Sequence, residues 1–488
     1  MQLYDWQEKD VQDVASKGYV GLFAYEPGLG KTICAVSCIV RSKARVTLIV
    51  APQPTFQTAW IPTLEKFGVT AREIGNSSKA KKAAMEDFLW GEPGCYLITP
   101  QLLSRKNQDI SEFRGDMLVV DEIHQGLATP KSVGQRKISG FSPYDEEPMN
   151  LRFPMRLALS GTPMKSAMEN MWAVSKFLWP EYDGRGQITD SNYWRWCADR
   201  LDYQTVYTNQ IDTRKGQRKT AKKWLGEAEP GKWVSQAPAV YIHKRREKCC
   251  EWHPNGSLQF GKAQVIERRV PLVPAQHKAI QEMQAMMLTY LEGQDPALTA
   301  EIPLTQLQRL RQLCLGVPTL SITEDEKVSV GFDKDCVSPF ADEVVEILRE
   351  LPAGEPVVVY LEAQRFAPVL VHKLTKAGFS AAEYSGATRG VRDEYLREFG
   401  KKYQVIVAVM SAFGTGTDSA QHISQTEVWV EQPLGLTTRV QVEARLERQG
   451  AKGQVQRYFV LDQYGYAEGR LDDHLEKRIS LNRSLRVA

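Results

Sequence analysis

The chain has 488 residues, 42% hydrophobic and 25% charged, enough for two or three packed domains of roughly 100–200 residues and unlike a disordered or fibrous chain. Its 62 basic residues nearly cancel 59 acidic ones, for a formal charge of +3, so no overall field announces a polyanion and any nucleic-acid site has to be a local groove. The N-terminus MQLYDWQEKD lacks a basic stretch leading into an apolar core, and the longest apolar runs, LIVAP and VVVY, are far shorter than the ~20 residues a membrane helix needs; a soluble, intracellular protein with no membrane partner is expected.

From Gly21 to about Pro180, apolar runs (VGLFAY, VTLIVAP, CYLITP, DMLVVDE, MRLALSGTP) alternate with amphipathic helical stretches. That alternation predicts a parallel sheet covered by helices. In such sheets ligands bind beyond the carboxyl ends of the strands, so chemistry is expected there. Cys34 and Cys38 fall one turn apart on an apolar helical face. From Met171 to Val337 the chain is richer in Trp, Gln and helical patterns, and it includes the basic segment TRKGQRKTAKKW, which has no apolar period. Helical insertions and a linker are expected there, with Trp172, Trp179, Trp194 and Trp196 in an insertion core. Thr319–Asp335 reads as a connection. Cys249, Cys250 and His253 lack the paired CxxC spacing of a zinc site and read as reduced thiols beside a histidine. The alternation resumes near Val344 with EPVVVYLE, AAEYSG, YQVIVAVMS, TEVWVEQP and QVQRYFVLD, implying a second α/β lobe. The expected division is residues 1–245 for an N-terminal lobe with an insertion at about 171–240, 246–335 for a linker and helical insertion, and 336–488 for a C-terminal lobe.

The segment EPGLGKT, Glu26 to Thr32, follows the run GLFAY and precedes ICAVSCIVRSK, the strand, loop and helix that a phosphate-binding loop requires. Gly28 and Gly30 let the backbone around Pro27 and Leu29 turn its N–H groups toward phosphate oxygens. Lys31 is placed to reach the terminal phosphates, and Thr32 to ligate magnesium. The strict pattern's first glycine is missing, with Tyr25 in its place. Asp121 and Glu122, in DEIH, come directly after MLVV; one carboxylate is suited to holding magnesium and its neighbour to orienting an attacking water.

With these motifs in order, the chain resembles the superfamily 2 helicase-like ATPases, and among them the Swi/Snf branch of double-stranded DNA translocases. The resemblance rests on YDWQ, EPGLGKT, APQPTFQTAW, LITPQLL, DEIH, LSGTP, VVVYLE, YSGATR, FGTGTD and QVEARLERQG, read in sequence along most of the chain. The stretches LALSGTPMKSAMENMW, FLWPEYD, LVPAQHKAIQEM, LQRLRQLCLGVP and ARLERQGAKGQVQRYFVL point to the branch. It implies an α/β fold of two RecA-like parallel-sheet lobes with helical insertions, and an ATP- and Mg²⁺-dependent, nucleic-acid-stimulated motor that moves along duplex DNA, acting as a monomer. A strand-separating or annealing helicase, and a DNA-binding ATP switch with little turnover, are the alternatives.

The resemblance also implies roles. Gln7 would read the adenine edge, and His124, Ser160 and Thr162 would couple the ATP site to lobe movement. Arg445 and Arg448, three apart and on one face if helical, would act as arginine fingers beside Gln441, with Gly416 and Asp418 also near nucleotide. Pro52, Thr55, Thr99 and Gln101 in the first lobe, and Ser385, Gly386 and Thr415 in the second, would line the DNA track through sequence-blind phosphate contacts. Two basic clusters are candidate duplex clamps: Arg214, Lys215, Arg218, Lys219, Lys222 and Lys223, and the run His243, Lys244, Arg245, Arg246 and Lys248, the bland reading of the first being a solvated loop. Three departures from the family's pattern stand out: QGLATPKS after DEIH, Asp418 where asparagine is common, and EQPLG for DPxWN. The absence of an obvious appended module makes the chain look like the compact bacterial or viral members, working in a bacterial cytoplasm or an infected host cell.

Overall fold

The computed structural model describes residues 2–124, 131–141, 148–161, 168–180, 193–212, 217–243, 263–291, 298–300, 303–322, 328–414, 419–448 and 451–466. The chain divides into two compact units, 1–254 together with 478–488, and 255–477.

In the first unit the strands are β1 (Val20–Tyr25), β2 (Val46–Val50), β3 (Ala71–Glu73), β4 (Gly94–Ile98), β5 (Met117–Val120), β6 (Met155–Leu159), β7 (Leu201–Asp212), β8 (Gln217–Glu227) and β9 (Val240–His243). Seven of them pair in the order β3-β4-β2-β5-β6-β1-β9, all parallel. β2, β5 and most of β1 are buried along their length, as expected of apolar runs with both sheet faces covered. Helix α1 (Asp5–Ser16) and helix α2 (Lys31–Ser42) pack beside β1, α2 burying Cys34 and Cys38.

The second unit holds β10 (Gln264–Val270), β11 (Leu288–Thr289), β12 (Leu298–Thr299), β13 (Thr319–Ile322), β14 (Val328–Gly331), β15 (Val357–Leu361), β16 (Ala381–Tyr384), β17 (Val405–Val409), β18 (Thr426–Trp429) and β19 (Gln456–Asp462). Its main sheet, β10-β19-β18-β15-β17-β16, is again parallel. The period-2 geometry of a strand divides β15 between two cores: Val357, Val359 and Leu361 enter one, Val358 and Tyr360 the other. Both units are thus helix-covered parallel sheets, the architecture of RecA-like lobes. Among the described residues no helix is long and apolar enough to cross a membrane.

The structure departs from expectation in four places. The described part of the basic segment, residues 217–224, is strand: β8 pairs antiparallel with β7 in a two-stranded sheet of its own. Backbone pairing sustains it, so an apolar helical period was never needed. The connection Thr319–Asp335 contains the β13–β14 hairpin. Strand β10, inside the stretch expected to be linker, pairs with β19, and the helices Pro274–Met286 and Pro303–Leu315 pack into that unit's core. Of the four tryptophans expected in a core, Trp172, Trp179 and Trp196 are buried, whereas Trp194 is 54% exposed, its ring covered in part by the Lys131 ammonium 4.9 Å away.

Candidate nucleotide site and strand-end surface

The sheet order decides what meets at the carboxyl edge of the first unit. Because β5, β6 and β1 are consecutive in the sheet, the turn after β6 lies between the loop after β1 and the DEIH turn after β5. Three motifs far apart in sequence are thereby adjacent.

Gly28 and Gly30 have φ of 88° and 80°, a left-handed conformation that L side chains adopt only with strain. Gly30 is the N-cap of α2, so the loop delivers Lys31 and Thr32 to the first turn of a helix, where N–H groups point outward and anions are favoured. The Lys31 ammonium donates to the Tyr25 carbonyl at 3.1 Å. Tyr25, in place of a loop glycine, is fully buried, and its hydroxyl donates to Asp10 at 2.6 Å. The His243 Nε2 donates to the same carboxylate oxygen at 2.5 Å, tying α1, β1 and β9 together under the loop; the Trp6, Tyr25 and His243 rings pack at 4.8–5.4 Å.

Gln7 is buried, and both ends of its amide are engaged: Nε2 donates to the Leu29 carbonyl at 3.0 Å, and Oε1 accepts from the Tyr4 N–H at 3.1 Å. The side chain therefore clasps the loop from below, and its amide has one further N–H and one further lone pair for a base edge.

Asp121 is buried, accepting from the Trp60 indole at 2.9 Å and from the Glu122 N–H at 2.9 Å. Burial first, and the Glu122 carboxylate second, push its pKa up to about 7 against the opposing Trp60 and Lys31. Two adjacent carboxylates of which one is buried make an arrangement that a divalent cation relieves, and the oxygen donors of Thr32 and Asp121 suit Mg²⁺. Glu122 has a φ of 47°, a left-handed conformation that costs a non-glycine residue about 1–2 kcal/mol; such strain concentrates at functional sites. His124, buried, lies 2.8 Å from the Ser160 hydroxyl through Nδ1 and 3.3 Å from a Glu122 oxygen. At Gly161 a Cβ would stand 3.0 Å from the Pro27 ring, so the turn after β6 packs directly on the phosphate loop. Thr162 lies outside the described residues.

Farther along the same edge, β2 and β4 are neighbours with Val50 opposite Ile98, which brings the turns at Pro52 and Thr99 side by side. The Pro52 carbonyl accepts from the Thr55 N–H and hydroxyl at 2.9 and 2.7 Å. The Thr99 hydroxyl caps the short helix Pro100–Leu103 by accepting from Leu102 N–H at 3.2 Å, and Gln101 is exposed.

In the second unit Ser385 is fully buried, its hydroxyl donating to Glu383 and accepting from the Ala387 N–H at 3.1 Å, so it shapes the turn after β16 while Gly386 is exposed. The helix Leu436–Glu443 carries Gln441 and ends two residues before Arg445. Arg445 and Arg448 therefore sit in the turn beyond it, not on one helical face. Arg445 donates to the Gly414 carbonyl at 2.7 Å and to the Gln441 carbonyl at 3.2 Å. This turn is held from below by buried Arg457, which pairs with Glu427, with Glu447 at 2.7 Å and with Glu443 at 3.3 Å. Burial pushes the Glu427 carboxyl up to about 7, against Arg457. Thr415, Gly416, Asp418, Lys244 and Arg245 lie outside the described residues, as do Cys249, Cys250 and His253.

Sequence reasoning missed Trp60, Gly161 and the Arg457 cluster. The first two lie inside quoted motifs, APQPTFQTAW and LSGTP, but their partners belong to other strands, so no local signal marked them.

A glycine loop at a helix N-terminus, with a DE pair two strands away on a RecA-like sheet, is an arrangement suited to holding a nucleoside triphosphate. Residues 11–195 match the SNF2-related domain family, a match that supports a superfamily 2 ATPase of the Swi/Snf type. It is similar to the "Chromatin-remodeling ATPase INO80" of Mycosarcoma maydis (25% identical over 208 residues, 39% of this chain and 10% of the relative). It is also similar to "Helicase SWR1" of Debaryomyces hansenii (24%, covering 43% of this chain and 13% of the relative). A third relative is the "DNA excision repair protein ERCC-6-like" of Danio rerio (27%, 36% and 12%). The matched segments thus span about a tenth of the length of these curated relatives.

Proposed function

We propose that the protein is an ATP-dependent motor that translocates along double-stranded DNA and remodels DNA or the proteins bound to it. The observation that carries this reading is the order of turns along one sheet edge. Thr99 and Pro52 follow neighbouring strands, and Asp121, Ser160 and the Gly28–Lys31 loop follow the next three. The Thr55 and Thr99 hydroxyls, suited to sequence-blind phosphodiester contact, stand on the same sheet edge as the side chains suited to nucleotide, with Pro52 marking the turn.

In this reading Gly28, Gly30 and Lys31 cradle the phosphates of ATP, with Glu26, Pro27 and Leu29 forming the loop and Gln7 beneath it. Thr32 and Asp121 would hold Mg²⁺, which when bound would neutralise charge on the phosphates, and Glu122 orients the attacking water. His124 and Ser160 relay the state of that water to the turn packed on Pro27. Arg445 and Arg448 are assigned as arginine fingers through the resemblance of QVEARLERQG, with Gln441, Gly416 and Asp418 nearby; Pro52, Thr55, Thr99, Gln101, Gly386, Thr415, Lys244 and Arg245 are assigned to DNA. Ser385 supports its turn and does not offer its hydroxyl. The names of the relatives, remodelling ATPases and helicases, support the same class of work.

The test is ATP hydrolysis by the wild type and Glu122→Gln, without nucleic acid and with single-stranded DNA, duplex DNA or RNA. Duplex stimulation that the variant loses is expected, together with displacement of a triplex-forming strand without duplex unwinding. Preference for single strands or RNA would replace this reading with an unwinding helicase, and no turnover under any condition would replace it with an ATP switch.

A further inference from the structure

The β7–β8 hairpin belongs to neither main sheet, and its strands, at 12 and 11 residues, are about twice the usual length. At ~3.3 Å per residue the arm is about 35–40 Å long. Its root is anchored: Leu201 is buried, Ala228 N–H donates to the Arg200 carbonyl at 2.9 Å, and the Glu227 carboxylate accepts from the Gly231 and Trp233 N–H groups, each at 2.7 Å. Trp233, itself buried, donates to Ser175 at 2.7 Å. Among the described residues no third strand pairs with the arm.

Charge is divided unequally between the strands. β7 carries Asp202 and Asp212 and no basic residue, whereas β8 carries Arg218, Lys219, Lys222 and Lys223 before Glu227 closes it. On one face Tyr203 stands opposite Trp224, with rings 5.8 Å apart, and the exposed Lys222 ammonium lies 4.0 Å from the Tyr203 ring centre. Tyr203 and Leu225 are themselves 48% and 50% exposed. The aromatic pair holds a lysine extended on the surface of a two-stranded ribbon, and a two-stranded ribbon is one of the two shapes that fit the major groove.

We propose that this hairpin is a second grip on duplex DNA, a clamp whose basic strand neutralises backbone phosphates away from the turns at Pro52 and Thr99. It rests on the DNA-motor reading and adds a contact surface to it. The competing physical role for lysines on an exposed strand is to keep the edge from pairing with another chain, and the two roles make different predictions.

The experiment measures binding of fluorescent duplex DNA across a salt series for three proteins: the wild type, the Lys222→Glu/Lys223→Glu variant, and an arm-shortened variant in which residues 205–222 are replaced by an Asn-Gly turn that leaves the root intact. The expected result is a loss of roughly tenfold or more in affinity at moderate salt for both variants. The slope of log K against log salt should become shallower by about 1 for each lysine removed. Equal affinity and equal slope in the two-lysine variant would overturn the clamp; so would self-association with DNA affinity unchanged, which assigns the lysines to edge protection. Hydrolysis separates the two claims. If the wild type binds DNA through the arm yet shows no duplex-stimulated turnover, the motor reading fails and the clamp stands. If turnover is stimulated and both variants bind as the wild type does, the clamp alone fails.

Discussion

The indole Nε1 of Trp60 donates a 2.9 Å hydrogen bond to Oδ2 of Asp121, both side chains being buried. It orients the carboxylate assigned to Mg²⁺ and opposes the rise in its pKa that burial causes. Outer partners of metal ligands contribute about 10–100-fold in metal affinity. Trp60→Phe keeps the packing and removes the donor, so the Mg²⁺ concentration for half-maximal hydrolysis should rise by about tenfold, with turnover largely restored at saturating Mg²⁺. A magnesium titration of ATPase activity that overlays the wild type would exclude the role.

At Gly30 an added Cβ would meet the Gln7 amide nitrogen at 2.6 Å, and the φ of 80° adds backbone strain. Gly30→Ala should therefore push Gln7 off the Leu29 carbonyl, lowering stability by about 1 kcal/mol and raising KM for ATP. The Gln7→Ala/Gly30→Ala double variant relieves the clash but not the φ strain, so a thermal-melt double-mutant cycle should show coupling of about 0.5 kcal/mol or more. Additive effects would mean that the side chain yields without cost.

Lys31→Ala and Arg448→Ala should each nearly silence hydrolysis, the arginine by on the order of 10³-fold. Arg445→Ala should do more, because its guanidinium also holds the Gly414 and Gln441 carbonyls. A loss of about 1–2 kcal/mol in stability is expected for Arg445→Ala. Steady-state turnover and calorimetric melting of the three variants test the division; near-normal turnover in Lys31→Ala would remove the phosphate-loop assignment.

Glu427, with its carboxyl raised from 4.5 to about 7 by burial, links stability to pH. The folded state holds this proton more tightly than the unfolded chain does. The resulting stabilisation is complete below about pH 4.5 and is lost as pH rises through about 7, with a span of about 3 kcal/mol. Glu427→Gln removes the titration, so the stability of the wild type relative to this variant should fall between pH 5 and 7.5 in denaturant melts. A constant difference across that range would show that Arg457 keeps Glu427 ionised throughout.

Both parallel sheets were legible from the alternation of apolar runs such as VTLIV and VIVAV with helical stretches, because a strand buried on both faces has to be apolar throughout. The glycine loop after β1 was legible for a different reason. Left-handed backbone at residues 28 and 30 calls for glycine, and a lysine and a threonine at the following helix start have few structural reasons to occur together. The hairpin was not legible: its strands are rich in polar residues, and antiparallel pairing leaves no helical or apolar period. Trp194 was misplaced because tryptophan content alone does not say which face of a helix meets the core.

What the sequence by itself determined, then, is the local chemistry: the glycine loop, the carboxylate pair at a strand end, and the α/β alternation, each dictated by backbone conformation or burial within a few residues. Tertiary structure alone decided the neighbours. Strand order put the Ser160–Gly161 turn between Lys31 and Asp121, brought Trp60 onto Asp121 and placed Arg457 beneath the Arg445 turn. Those contacts join residues tens of positions apart or on different strands, and hydrogen-bonded strand order, which no local pattern encodes, is the physical cause that brings them within reach.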